Sequence, residues 1–477
     1  MWKSVSFAIA VLACGLTSAG HAQSPLAVPA PVDTLAGTDS PSPADSAAAA
    51  DSLAPPVAEK HFARAAFEVT TVNALVWAYC RYIREGGTNT GFRISLDSWN
   101  ENLSNGFDWD DNNFATNQLA HPYHGSTYFC AARANGYDYY ESIAFAFAGS
   151  AMWEYFGEVH HPSINDWIST SVGGIALGEA LHRFSGMIVD QRAEGSERVW
   201  REIGGFLVNP VGGFDRLITG KMSRKGANPP DWRRHRFVSA IRAGARFTRD
   251  GTVEDADTLR AFARLRGVVG DPTGSVVRKP YDAFSIDVQL NADEITPVGR
   301  GQVFGLLRSW EVDRSERRNS YFAITNSWDY INNSAYELGA QSFGAGYLTR
   351  VKSDSWTLNA GLTANWIVLG GTSSDYESYT GRSYDYGPGA GGRFFASLRH
   401  RWLFLGLESD LYYLRVMNGT DADHIVTENR LTAAVPVSGA FNLGTELSVY
   451  HARRHYADFD DVSERDPQLT AYVAWNP

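Results

Sequence analysis

The chain has 477 residues, with 42 basic against 53 acidic side chains and a formal net charge of −11. An acidic balance without a basic stripe excludes the electrostatic footprint of a nucleic-acid binder, so no nucleic-acid partner is expected. Aromatic residues make up 13% and include 14 tryptophans, a high content for a soluble protein and an ordinary one for a membrane barrel with interfacial girdles.

The first residues, Met1-Trp2-Lys3, precede an apolar run from Phe7 to Leu12 and then small residues up to Ala22, which predicts a secretory signal over 1–22. Val11-Leu12-Ala13-Cys14 is a loose lipobox, and lipidation at Cys14 is the rival expectation. Residues 23–58 are dominated by Ala, Pro, Ser and Asp. They hold too little apolar surface to offset the entropy of ordering and predict a disordered tether. Cys80 and Cys130 then remain, too few for a disulfide framework but enough for one bridge in an oxidising compartment.

From 59 to 232 the apolar period is helical. One helix is predicted over 74–83 and a second over 138–158, where Asp138 and Glu141 have capping-box spacing. A third starts at Ser163. Asp166, three residues on, is placed to return a bond to the Ser163 amide and close a second capping box, a structural role for both. Its apolar positions Ile164, Trp167, Ile168, Val172, Ile175 and Leu181 share one face. Gly174 and Gly178 remove side chains at one-turn spacing, where another backbone can approach. Glu179 can pair with Arg183 one turn later, or be buried beside Gly178. A fourth helix is predicted over 197–207.

The polar residues that could carry chemistry lie in this region. His121 and His124, expected on a loop or short turn containing Pro122, could bind a metal or share acid–base work given a carboxylate neighbour. Alternatively, each hydrogen-bonds a helix end or a wall. Glu154 lies within an apolar helix, where a carboxylate is costly unless paired. It is either an acid of raised pKa or the partner of Arg133 or a histidine. His121, His124 and Glu154 are therefore the candidate catalytic group. Asp108 to Asn112 has the first half of a calcium loop without its glycine and its final glutamate. Nucleotide-binding, zinc-protease and nucleophile-elbow motifs are missing, and no cofactor is expected.

Several short motifs recur here in a fixed order: His121-Pro-Tyr-His124-Gly, Ala132-Arg-Ala-Asn-Gly136, Ser150-Ala-Met-Trp-Glu154-Tyr-Phe-Gly-Glu158, Pro162-Ser-Ile-Asn-Asp166 and Gly173-Gly-Ile-Ala-Leu-Gly178-Glu179. With Asn117-Gln118 before them and Arg198-Val-Trp-Arg-Glu202 and Asn209-Pro210 after, this pattern over about 73–210 resembles a domain-of-unknown-function family, DUF3943, of bacterial cell-envelope proteins. The resemblance implies an envelope location and brings no established activity.

After residue 233 the period becomes two. Trp356, Leu358, Ala360, Leu362, Ala364 and Trp366 share one face, and Thr357, Asn359, Gly361, Thr363 and Asn365 the other. Tryptophans bracketing an apolar row suit a strand that crosses a bilayer. Three further rows follow the pattern: Leu403, Leu405, Leu407 and Leu411; Phe284, Ile286, Val288 and Leu290; and Phe441, Leu443, Leu447 and Val449. A soluble sandwich or lipocalin-like barrel also alternates. The Gly, Asn, Thr and Ser content of the polar face favours the membrane. The fold expected is α+β: a helical module over 59–232, then an antiparallel transmembrane barrel of about 10–12 strands over 233–477. The function expected is an outer-membrane protein in contact with outer-membrane lipid. The helical part would be a periplasmic or plug module, and the role structural or transport. The alternative is an envelope enzyme acting on lipid or cell-wall material through the His/Glu group.

Overall fold

The computed structural model describes residues 59–84, 88–229, 232, 237–249, 257–292, 296–377 and 381–476. The expected signal (1–22), with Cys14, and the tether (23–58) lie outside the described residues.

The helical module opens with α1 (Phe62–Tyr82) and α2 (Leu96–Ser104), the latter started by a Ser95–Ser98 capping box. A π-helical turn, Thr116–Ala120, runs directly into α3 (His121–Ala134). His121 and His124 therefore stand on the first turn of a helix and not on the expected loop. Pro122 lies within this continuous helical path, and the Gln118 carbonyl that its missing N–H leaves free accepts instead from Trp328 Nε1. α4 (Tyr139–Phe156) begins at the Asp138–Glu141 capping box, with both reciprocal bonds made. α5 (Ile164–Ile168) continues through a π-helical turn, Ser169–Gly173, into α6 (Gly174–Ile188). α7 (Gly195–Val208) and α8 (Pro210–Ile218) complete the module.

α6 is the hub and is buried along nearly its whole length. It crosses α3 at backbone contact. A Cβ on Gly174 would lie 2.5 Å from the Gly125 carbonyl carbon, and one on Gly125 would lie 1.7 Å from the Thr170 carbonyl oxygen. Gly178 meets Phe129 in the same crossing. Cys80 and Cys130 are both buried and free, so the bridge that two cysteines allow is not formed.

Twelve antiparallel strands form a closed barrel in sequence order. They are β1 (Phe237–Arg249), β2 (Asp257–Val269), β3 (Phe284–Asn291), β4 (Val298–Arg314), β5 (Arg318–Asn332) and β6 (Glu337–Lys352). The ring continues through β7 (Trp356–Ser373), β8 (Tyr384–His400), β9 (Leu403–Arg415), β10 (Ala422–Ser438), β11 (Phe441–Tyr456) and β12 (Val462–Trp475), which pairs with β1. Among the described residues no helix is long and apolar enough to cross a membrane.

Alternation assigns each strand residue to the lumen or the outside. On β7, Trp356, Leu362 and Trp366 are exposed outward and Thr363 is buried inward. On β9, Leu405, Leu407 and Leu411 are exposed and Asp410 is buried; on β11, Phe441, Leu443 and Leu447 face out and Glu446 and Ser448 face in. The inward charges pair across the lumen. Arg264 on β2 joins Asp287 at 2.5 Å and Glu446 at 2.9 Å, and Arg393 on β8 joins Asp329 at 2.9 Å and Asp410 at 2.7 Å. Arg300 on β4 pairs with Glu428 on β10, six strands away either way round a ring of twelve, so this bridge spans the barrel. Arg266 on β2 likewise reaches Glu408 on β9. Toward the β5–β6 turn, a layer that includes Ile331, Tyr336, Leu338, Ile367, Tyr412 and Leu414 adds an apolar seal.

The module does not occupy this filled lumen as a plug. On β5, Asp329 turns inward to Arg393, while its neighbour Trp328 turns outward and its Nε1 donates to the Gln118 carbonyl at 3.2 Å. Other outward residues meet the helices: Tyr281 stacks on Tyr139 at 6.0 Å, Phe237 meets Phe184 at 5.3 Å, and Tyr384 meets Phe114 at 5.3 Å. The β3 row of Phe284, Ile286, Val288 and Leu290 is outward as its period requires, but it packs in the core shared with the helices. The helical module is thus mounted on the outer wall.

Two substitutions test this architecture. Gly174→Val is expected to cost about 3 kcal/mol or more, because the α3–α6 contact is backbone on backbone. The measurement is protease resistance of the helical region, with the barrel's heat-modifiable gel mobility retained. Arg300→Met leaves Glu428 buried with Arg430 as its remaining partner. Its expected effect is a loss of about 3 kcal/mol in detergent unfolding.

Candidate functional site

α3, α4 and α5 converge on one buried polar cluster. His121 comes from the first turn of α3, Glu154 from the last turns of α4 and Asp166 from α5; they are 7%, 4% and 4% exposed. The segment before α5 is pinned by the Asp108 loop, with the Asp108 amide on the Pro162 carbonyl at 2.8 Å and the Ile164 amide on the Asp108 carbonyl at 2.9 Å. The Asp110 amide donates to Asn165 Oδ1 at 2.9 Å, which brings a third carboxylate close.

Ser163 caps α5 as expected, its hydroxyl accepting from the Asp166 amide at 3.4 Å. The reciprocal bond is made differently. The Ser163 amide donates to Glu154 Oε2 at 2.8 Å, so the Asp166 carboxylate is not spent on the cap. It accepts from Asn165 Nδ2 at 2.8 Å through Oδ1, and its Oδ2 lies 3.6 Å from His121 Nε2. His121 Nδ1 lies 3.0 Å from the Thr170 hydroxyl. Glu154 Oε1 is buried with no hydrogen-bond partner. Ligand atoms from His121, Glu154 and Asp166 all lie within 4.8 Å of one another, a donor set able to hold a cation.

His124 stands apart from this cluster. Its Nε2 lies 2.8 Å from the Tyr128 hydroxyl, which donates to Asn73 Oδ1. With that proton committed, the tyrosine oxygen accepts from His124 Nε2–H. Arg133 pairs not with Glu154 but with Glu179, at 2.8 Å from Nε, and Arg183 reaches Glu179 at 2.7 Å. Glu179 thus takes both the expected pair and a wholly buried place holding α3 to α6.

Burial sets the electrostatics. It pushes Glu154 well above the usual carboxylate range, with the Glu158 charge adding and the Ser163 amide opposing. Asp166 is raised by burial and then by Asp110, Glu154 and Glu158. Burial lifts Glu158 to about 7, and lowers His121 to about 4 and His124 to about 3. The imidazoles are therefore neutral at physiological pH.

Beside the cluster lies a cavity of about 530 Å³ between the module and the outer face of the barrel. Val72, Val76, Leu177 and Leu181 line it from the helices, and Ile286, Val288, Val303 and Trp328 from the wall. Its polar lining includes His121, His124, Glu158 and Arg84, with Asp110 and Asp111 among others, so His121 belongs to both cavity and cluster.

Residues 106–211 match domain of unknown function DUF3943. The DUF3943 segment therefore contains His121, His124, Glu154 and Asp166 and the whole α3–α6 crossing. No curated protein matches the chain. Solved structures similar in part include an outer membrane channel from Pseudomonas putida F1 (11% identity, 52% of this chain and 100% of that one, TM-score 0.26). The KdgM porin (10%, 50% and 98%, 0.23) and the outer membrane channel DcaP of Acinetobacter baumannii (8%, 50% and 95%, 0.21) are others. None of these values transfers a cargo or an activity to this chain.

Thr170 and Asn165, which hold His121 and Asp166, are not among the residues singled out from sequence. Thr170 lies one turn after Asp166 on a buried helical path, and that i,i+4 pairing of polar residues among apolar ones is the available signal. Period two gives the outward facing of wall residues such as Ile286 and Val288, but their contact with the helices is set by tertiary packing.

Another buried carboxylate, Glu68, stands in the second turn of α1. Glu68 accepts from Asn135 Nδ2 at 2.8 Å, and burial followed by the Asp215 charge raises its pKa from 4.5 to about 8. A carboxyl raised on folding favours the folded state fully below its unfolded pKa, and that advantage is lost as pH climbs through the folded value. Glu68→Gln should therefore flatten the fall in melting temperature between about pH 4.5 and 8. An unchanged slope would contradict the assignment.

Proposed function

We propose that this is an outer-membrane barrel that holds a lipid acyl chain between its outer wall and the helical module. The observation that carries this reading is the cavity itself. It is apolar on both sides, polar at His121 and Glu158, and bounded by outward strand residues. Its size is that of a small-molecule site. Phe343, packed against the module, pairs directly with exposed Trp366, so the covered wall is continuous with the apolar surface that would meet lipid. The module adds an apolar outer face of its own: Val199, Trp200, Ile203 and Phe206 on α7 are all exposed at helical spacing. A membrane on that side satisfies both surfaces. The expected export signal fits this location. A lipid headgroup would sit against the polar lining, beside His121.

The test is lipid carried through purification. The detergent-purified chain should retain about one lipid per molecule by native mass spectrometry, an occupancy in line with one pocket of this size. Val288→Trp, which fills the cavity from the wall side, should reduce that several-fold without altering heat-modifiable mobility. Equal retention by the variant would sink the reading.

Transport through the lumen is the second reading, favoured by the charged inner wall. The Arg300–Glu428 bridge across the barrel closes that route in the described conformation. Planar-bilayer recording should show no steady conductance for the unmodified chain; a stable open channel would favour transport.

A further inference from the structure

We propose that His121 Nε2, Glu154 and Asp166 bind one divalent transition-metal ion, with zinc the best chemical match. The inference stands on geometry and does not rest on the lipid reading. Three side chains from three helices bring one nitrogen and two carboxylate oxygens within 4.8 Å of each other. The His121 Nε2 to Asp166 Oδ2 separation of 3.6 Å is too long for a hydrogen bond. It suits two ligands of a shared ion, because tetrahedral ligands about 2.1 Å from zinc stand about 3.4 Å apart. Glu154 Oε1, buried and without a partner, is the polar atom such an ion would satisfy.

The surrounding bonds are those that orient metal ligands. Each ligand is held through its other atom: His121 Nδ1 by the Thr170 hydroxyl at 3.0 Å, Glu154 Oε2 by the Ser163 amide at 2.8 Å, and Asp166 Oδ1 by Asn165 Nδ2 at 2.8 Å. With Nδ1–H donating to Thr170, the His121 Nε2 lone pair is the one left for the ion. An imidazole in the set argues against calcium and magnesium, which take oxygen ligands. Three protein ligands leave a fourth position for an exchangeable group.

The experiment uses the full chain, folded in detergent, stripped with chelator and titrated with zinc chloride alone. The expected result is one zinc per chain by calorimetry and elemental analysis, and a zinc-dependent rise in melting temperature. His121→Ala and Asp166→Asn should abolish binding. Thr170→Val, which keeps every ligand, should weaken it about 10–100-fold. His451→Ala, on β11, is the control that binds normally. Cobalt(II) in place of zinc should give tetrahedral visible bands in the unmodified chain and none in Asp166→Asn. A heat-modifiable, protease-resistant chain that takes up neither zinc nor cobalt overturns the proposal. So does a folded His121→Ala that retains full affinity, or a Thr170→Val indistinguishable from the parent. If the two ligand variants fail to fold, the parent stoichiometry and Thr170→Val still decide the matter.

Discussion

A strand residue in a closed barrel faces either the lumen or the outside, and on β5 the neighbours Asp329 and Trp328 take one side each. Everything else in the molecule follows from that division. Inside, charged side chains have no bulk water to spread into and pair across the lumen, which makes the barrel a filled pillar. Outside, the apolar rows require either lipid or protein. On β9 to β12 they are left exposed, whereas on β3 to β5 the helical module covers them. The module in turn can lie flat because Gly125 and Gly174 let α3 and α6 touch at the backbone.

That arrangement places a buried polar cluster beside an apolar cavity. Within the cluster, burial raises the Glu154 and Asp166 carboxyls and keeps the His121 imidazole neutral, which is costly for stability unless some partner resolves it. Three of them, brought from three helices, are each oriented by a separate hydrogen bond. Such organisation exceeds what a structural cap requires. It also explains why the Ser163 amide serves Glu154 and not Asp166: the cap is completed from one side, and the carboxylate remains available.

The barrel was legible in the sequence because period two is a local property. Trp356, Leu362 and Trp366 can be assigned to one face from their spacing alone. The same rule places Phe284 and Ile286 on the outer face but cannot say whether lipid or a helix covers them, since coverage depends on residues more than 100 positions away. The α4 start was legible from Asp138 and Glu141, a pair spaced by three. The helical setting of His121 was not, because Pro122 reads as a break, whereas the π-helical turn before it carries the helix through. Asp166 shows the limit most clearly. Its spacing from Ser163 explains one bond, and its approach to His121 depends on packing between α3 and α5.

The central claim is that the helical module rests on the outer wall of the barrel. Tyr139 and Tyr281 stack across that contact, and Ser327, next to Asn326, faces the lumen. The direct measurement is short-linker cross-linking in intact membranes of a Tyr139→Cys, Tyr281→Cys chain beside a Tyr139→Cys, Ser327→Cys chain. The account predicts efficient coupling in the first and none in the second. Coupling to position 327 with none to 281 would put the helices in the lumen and contradict it.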